Sequence, residues 1–444
     1  MATFDLLIRD GTLLTTSGEE RADVAVLDGR IAMIGSLGRA GAATTIEARG
    51  LYVLPGVIDT QVHFREPGLT HKEDFESGTR AAIKGGVTAV FDMPNTKPAI
   101  VDEATFEDKF RAIRTRSWCD FGLYVGASPA NVERLEALEL MPACAGVKIF
   151  MGSSTGDLLI PDDETLKKVL FAGRRRVAVH CEDEPRLKAR RPIAEKAGQP
   201  SAHPEWRDEQ TAFEATSRLL ALARLAGRRV HVLHVTTGQE LDLLAGHRDI
   251  ATIEVTPQHL TLAAPECYER LGTRAQMNPP IRGLIHQERL WRAVADGLVD
   301  MIGSDHAPHL PEEKARRYPD SPSGMPGVQT LVPIMLDHVN AGRLSLRRFV
   351  DLTSAGPARA FGIARKGAVA VGYDGDFTIV DMAAKRTIVA SWLVSKCGWS
   401  PFEGRAVTGW PVATIVRGRV VMLQGEVIGE PAGSRLRFAE ALSL

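Results

Sequence analysis

The chain has 444 residues, with 54 Lys and Arg against 55 Asp and Glu, for a formal net charge of −1. Hydrophobic residues make up 44% and charged residues 25%, a globular composition that argues against disorder. The near-neutral balance gives no electrostatic case for nucleic acid or an anionic membrane, and no apolar run approaches the ~18 residues of a membrane helix.

The first residues, Met1 to Gly11, lack a basic region followed by an apolar core and do not read as a signal peptide. Residues 1–53 read as β structure. Apolar runs such as Asp23-Val24-Ala25-Val26-Leu27 and Arg30-Ile31-Ala32-Met33-Ile34 are broken by Asp10-Gly11 and Asp28-Gly29, both of hairpin type. Residues 363–444 look alike, with Gly372-Tyr373-Asp374-Gly375-Asp376 before Phe377-Thr378-Ile379-Val380. Two further short strands are split by Arg417-Gly418. Neither end has strands enough for a core alone, so the two are expected to combine into one discontinuous β-sandwich domain.

Residues 54–362 have another rhythm. Eight short β-branched runs, at 57–64, 87–93, 121–126, 146–151, 177–181, 230–235, 252–256 and 300–304, alternate with amphipathic stretches. That pattern predicts an α/β fold with a (β/α)₈ TIM barrel. An open doubly wound sheet would carry a Gly-rich phosphate loop after its first strand, and none is found. The five cysteines (Cys119, Cys144, Cys181, Cys267, Cys397) are scattered and form no CxxC pair, which points to reduced thiols and a cytoplasmic setting.

A barrel keeps its active site at the carboxyl ends of the strands. There the sequence places His63, Asp92, Lys148, His180, His231 with His234, and Ser304-Asp305-His306-Ala307-Pro308-His309. Any one histidine at a strand end is more often structural than a ligand. His231 and His234 differ by three and face opposite ways, so only one points inward. Lys148 lies in an apolar strand, where a free ammonium must be paired, neutralised or modified. The joint pattern favours a metal site. Imidazoles and a carboxylate suit Zn²⁺, and a lysine becomes a ligand once CO₂ converts it to a carbamate able to bridge two metals. A divalent metal brings the pKa of its water to about 7, and Asp305 beside it is placed to pass the proton to a leaving nitrogen. This is equipment for metal-assisted hydrolysis of an amide-like bond.

These residues carry a resemblance. The segments Val62-His63-Phe64-Arg65-Glu66-Pro67-Gly68, Asp92-Met93-Pro94-Asn95-Thr96, Gly146-Val147-Lys148-Ile149-Phe150, Asn278-Pro279-Pro280-Ile281-Arg282, Gly303-Ser304-Asp305-His306-Ala307-Pro308-His309 and Ser400-Pro401-Phe402-Glu403-Gly404 are similar to those of the amidohydrolase superfamily. More narrowly they resemble the dihydroorotases, with hydantoinases or dihydropyrimidinases and allantoinases as relatives. The resemblance covers nearly the whole chain. It implies reversible cyclisation of N-carbamoyl-L-aspartate to L-dihydroorotate in pyrimidine biosynthesis. It implies His63, N6-carboxylated Lys148, His180, His234 and Asp305 as ligands of one or two zinc ions, with Asp305 also the proton shuttle. Arg65, Asn95 and His309 are implied to hold the substrate carboxylate, which suits an Arg fork, and Asn278, Ser323 and Gly324 to contact the ring. For Arg65 the other reading is an ion pair with Glu66 or Glu73. A homodimer or homotetramer is implied as well.

Two positions depart from the family pattern. The usual His-x-His of strand one is Gln61-Val62-His63, and an amide oxygen is a poorer zinc ligand than imidazole. One consequence is a single metal on Lys148, His180 and His234; the other is a non-catalytic homologue that scaffolds a partner such as aspartate transcarbamoylase. The second departure is Thr256-Pro257-Gln258-His259, where relatives have paired histidines; His259 is read as a support for the ligands. The remaining features have plain readings: Arg174-Arg175-Arg176 as a solvated helix end, residues 186–191 as an exposed face, residues 309–326 as a mobile loop over the site, and Trp392, Trp399 and Trp410 as packing residues.

Overall fold

Alternating apolar residues at the start of the chain form five strands, β1 (Thr3–Thr15), β2 (Gly18–Leu27), β3 (Arg30–Gly35), β4 (Gly41–Glu47) and β5 (Tyr52–Pro55). The computed structural model describes residues 3–153 and 158–441. Eight parallel strands follow: β6 (Val57–Val62), β7 (Val87–Asp92), β8 (Asp120–Gly126), β9 (Cys144–Phe150), β10 (Val177–His180), β11 (Val230–Val232), β12 (Ala251–Val255) and β13 (Met301–Ile302). Each pairs with its sequence neighbour, and the ring closes where Val62 bridges His306 and the His63 N–H reaches the His306 carbonyl at 2.8 Å. The eight-stranded barrel is the architecture expected from the eight runs. Their strands are shorter because several runs continue past the last ladder bond into loops that carry the site.

The sheet made by the chain ends is continuous. β14 (Phe377–Thr387), β15 (Ala406–Val416), β16 (Arg419–Leu423) and β17 (Glu426–Val427) run in the order β17-β16-β15-β14-β5-β1-β2-β3, with β4 also on β1. Its nine strands surround a core of their own that includes Leu6, Ile8, Leu13, Val24, Val53, Phe377, Ile379 and Ile415. The two chain ends thus build one continuous sheet. Asp28-Gly29 and Arg417-Gly418 turn the chain as expected, with φ of 52° and 72°, and 49° and 75°. Asp10-Gly11 does not. β1 runs straight through it with a bulge between Ile8 and Gly11, and Asp10 takes φ 56°. At that bulge β1 leaves β4 and joins β5. A side chain at Gly11 would stand 2.6 Å from Val53 Cγ2, so the close approach needs glycine.

Two segments of the 363–444 region leave the sheet. Residues 434–438 pass under the barrel, where the Phe121 N–H reaches Ser434 and the Leu436 N–H reaches Phe121. Phe438 there meets Phe91 edge-on at 5.7 Å and plugs the amino-terminal floor with Phe361 and Leu436. Arg175 belongs to this floor too. It is 1% exposed and donates to the carbonyls of Glu139, Cys144 and Ala145. The reading of Arg174-Arg175-Arg176 as a solvated helix end fails for Arg175, because the arginine satisfies carbonyls that the floor leaves open. Residues 388–405 pack the opposite way, over the carboxyl ends of the strands, burying Cys397, Trp399 and Phe402 with Met277, Ile281, Met325 and Trp410 of β15. No helix among the described residues is long and apolar enough to cross a membrane.

Candidate active site

One pocket opens at the carboxyl ends of the strands. Gln61, His63, Arg65, Asn95, Lys148, His180, His234, Asn278, Asp305, Ser323 and Gly324 all line it. Its polar groups stand there because each barrel strand ends in a side chain that the ladder aims inward. His234 and Asp305 lie just past β11 and β13 with φ of 39° and 44°, a left-handed backbone that non-glycine residues adopt at a cost.

The nitrogen and oxygen donors fall into two pairs. His63 Nε2 lies 3.2 Å from Asp305 Oδ1, and His180 Nδ1 lies 3.1 Å from His234 Nε2. Lys148 acts electrostatically on His63, His180, His234 and Asp305, which makes it the common neighbour of both pairs. Lys148 is 1% exposed, its ammonium has no hydrogen-bond partner among the described residues, and it lies 4.4 Å from the centre of the Phe150 ring. Burial pulls its pKa down to about 7. Burial likewise lowers the pKa of His63, His180 and His234, so the three imidazoles are held neutral, the state a metal needs.

Partners from further away fix these side chains. His63 Nδ1 meets Asn95 Oδ1 at 2.7 Å. His180 Nε2 lies 2.9 Å from Glu182, which Arg207 grips through Nε and Nη2. Burial pushes the Glu182 carboxyl up, but Arg207 and His180 outweigh it and hold the group below its ordinary range. Gln61 Nε2 donates to Asp305 Oδ1 at 2.9 Å. His203 Nε2 faces Asn278 Oδ1 at 3.0 Å. Glu182, Arg207 and His203 were not singled out in the sequence. The available signals were Glu182 two residues after His180, and His203 with Arg207 in a helical stretch whose polar face turns inward.

Arg65 is 2% exposed and faces the pocket. It donates to the Pro308 carbonyl at 3.3 Å, touches His309 Nε2 at 3.3 Å, and makes no ion pair among the described residues. Burial pulls its pKa to about 10. The ion-pair reading fails, since Glu66 pairs with Arg116 and Glu73 bonds Ser77 and Ser395. His309 stands behind Arg65 rather than on the pocket wall. Lys72 Nζ reaches its Nδ1 at 3.2 Å, and its Nε2 lies 3.0 Å from the Ser323 carbonyl. His231 points away from the site toward Thr252 and Glu254. His259 serves its own helix start, bonding Thr256 Oγ1 and the Pro279 carbonyl. Asp120, Asp374 and Asp376 form a separate acidic cluster at the junction of barrel and sheet, already filled by Lys366 and Arg417.

Comparison with known proteins agrees with this geometry. The Amidohydrolase family matches residues 52–421. A dihydroorotase of Methanothermobacter thermautotrophicus is 39% identical over 411 residues, covering 91% of this chain and 92% of that protein. An allantoinase of Deinococcus radiodurans is 35% identical over 447 residues, covering 98% and 99%. The structure of L-hydantoinase from Arthrobacter aurescens superposes with a TM-score of 0.92 at 31% identity, over 98% of this chain and 100% of that one. The barrel, the polar strand ends and these relatives together establish that the chain belongs to the amidohydrolase family, among its cyclic-amide hydrolases.

Proposed function

We propose that this protein is a metal-dependent dihydroorotase, interconverting N-carbamoyl-L-aspartate and L-dihydroorotate. The observation that carries the reading is Arg65, a buried guanidinium on the pocket wall with no carboxylate of its own. Asp305, Asp92 and Glu313 act on it only from a distance, and a buried guanidinium without an ion pair is costly, so the site suits an anion. The carboxylate of dihydroorotate supplies one, whereas hydantoin and dihydrouracil carry none. The relatives named dihydroorotase support the same reading.

The donor set fits a divalent metal such as zinc. Lys148 Nζ and His234 Nδ1 are buried without partners among the described residues, and the imidazoles beside them are neutral. Carboxylated Lys148, His180 and His234 would hold one ion, with His63 and Asp305 on the other side of Lys148. Carboxylation resolves the unpaired lysine: its amine attacks CO₂, loses one proton and becomes an anionic carbamate. Bound there, the metal supplies Lewis acidity and brings a water's pKa toward neutrality.

The chain's own groups do the rest. Arg65 and Asn95 hold the substrate carboxylate, the first as a bidentate fork. Asn278 and the Ser323-Gly324 backbone orient the ring amide. Asp305, steadied by Gln61, takes a proton from the attacking water and gives it to the ring nitrogen as the C–N bond breaks; cyclisation runs the same transfers backward.

The test is hydrolysis of L-dihydroorotate by the zinc-supplemented protein, with Arg65→Ala beside it. Turnover is expected, and the variant should lose at least about 100-fold in kcat/KM, a charged hydrogen-bonded pair being worth some 2–3 kcal/mol or more. Turnover of a neutral cyclic amide that Arg65→Ala leaves unchanged would assign a hydantoinase or allantoinase activity instead. No turnover with metal bound would favour the scaffolding role.

A further inference from the structure

Lys314 closes the short helix Pro311–Lys314 in the segment that follows β13. It is 1% exposed, yet it makes no ion pair among the described residues. Its ammonium instead donates to three backbone carbonyls, Gln276 at 3.0 Å, Pro322 at 2.8 Å and Gly324 at 3.1 Å. These belong to two loops. One leads into Asn278, and the other carries Ser323 and Gly324, so all three ring-facing residues hang from strands of chain that Lys314 ties together. Gln276 reinforces the tie, its carbonyl also accepting the Gly324 N–H at 2.9 Å and its amide reaching the Ser321 carbonyl at 2.9 Å.

The charge is part of the arrangement. Burial, with Arg274 nearby, pulls the lysine's pKa down to about 7; the ammonium form offers a donor to each of the three carbonyls. The same corner holds Arg65 and Lys72 around His309, all three cations acting on that ring, with Glu313 as the carboxylate that bonds Lys72 there. The wall behind the carboxylate clamp thus gathers three basic side chains, and no carboxylate among the described residues bonds Lys314.

We propose that Lys314 is a positioning residue that clasps the two substrate loops and biases the pocket toward anionic ring substrates. The substrate half rests on the dihydroorotase reading; the clasp does not. The mechanism needs no contact between Lys314 and substrate: the three bonds hold the Gly324 and Asn278 backbones at a fixed separation, and the charge acts through a low-dielectric wall.

The experiment uses the full-length, zinc-supplemented protein and Lys314→Met, with Lys314→Gln as a second variant should methionine impair folding. Hydrogen–deuterium exchange is expected to quicken in peptides spanning 272–278 and 319–326 and not in the barrel strands. KM for L-dihydroorotate is expected to rise at least about tenfold with kcat within about threefold of the parent and zinc content unchanged. Exchange unchanged in both peptides overturns the clasp. Exchange that quickens through the whole chain overturns it as well, since that is a general packing defect. Localised exchange with unchanged KM overturns the substrate half. If the parent itself does not use L-dihydroorotate, the dihydroorotase reading fails, and the exchange measurement still judges the clasp.

Discussion

Gln61 occupies the place where the family pattern has a histidine, and its amide is turned to give rather than to accept. Nε2 donates to Asp305 Oδ1 at 2.9 Å, while Oε1 is buried without a partner among the described residues. The reverse rotamer would set an amide oxygen against a carboxylate oxygen, so the electrostatics fix this orientation. An amide that donates to Asp305 leaves the His63 side of Lys148 one imidazole short. Elemental analysis of protein saturated with zinc should find one ion per chain, and Gln61→His should raise the count toward two. Two ions in the parent would refute this. The site residues differ in how they could be read from sequence. Lys148 stood out because an ammonium is out of place in an apolar strand. Arg65 stood out only through the resemblance. Glu182 and Arg207 were hidden, since the contact that matters joins residues 25 apart across the helix Glu184–Ala197. Gln61's role depended on a rotamer, which no sequence pattern encodes.

At the scale of elements, the eight barrel strands were plain because buried parallel strands are nearly continuous apolar runs. Hairpin chemistry was plain at Asp28-Gly29 and Arg417-Gly418, where two left-handed residues match the twist of the strands they join. It misled at Asp10-Gly11, because the same residue types also make a bulge. The floor plug at 434–438 left no signal, since a short apolar segment that fills another element's end has no period to detect. Its contribution is measurable. Phe438 is buried against Phe91 and under Arg175, so Phe438→Ala should lower unfolding free energy by about 3–5 kcal/mol in urea titration. The floor lies at the opposite end of the barrel from the pocket, so kcat/KM for the folded variant should stay within about twofold, a surface-scale perturbation of the site at most. A collapse of kcat/KM without a loss of stability would contradict that separation.

The molecule as a whole is poised against acid. Burial holds four histidines neutral, with pKa values of about 3 for His203 and His309 and about 4 for His259 and His338. Each is depressed below the 6.5 of the unfolded chain, so the unfolded state binds protons first as pH falls. Their contribution is complete above pH 6.5 and drains away toward pH 3–4, by about 1.4 kcal/mol per histidine per pH unit. Thermal melting should show Tm falling steeply between pH 6 and 4.5; a flat profile through that interval would contradict it. The barrel and the sheet share a seam, where Lys366 joins Asp120 of β8 to Asp376 beside β14 and the Val57 N–H meets Thr378 Oγ1, a partner 321 residues later. That seam sets a timetable for biosynthesis. A ribosome adding roughly 5–20 residues each second releases β5 some 15–60 s before the strand that covers its edge. Through that interval the nascent chain carries an open β edge, and the barrel, complete in its own eight strands, waits for residues 377–438 to acquire both its flank and its floor.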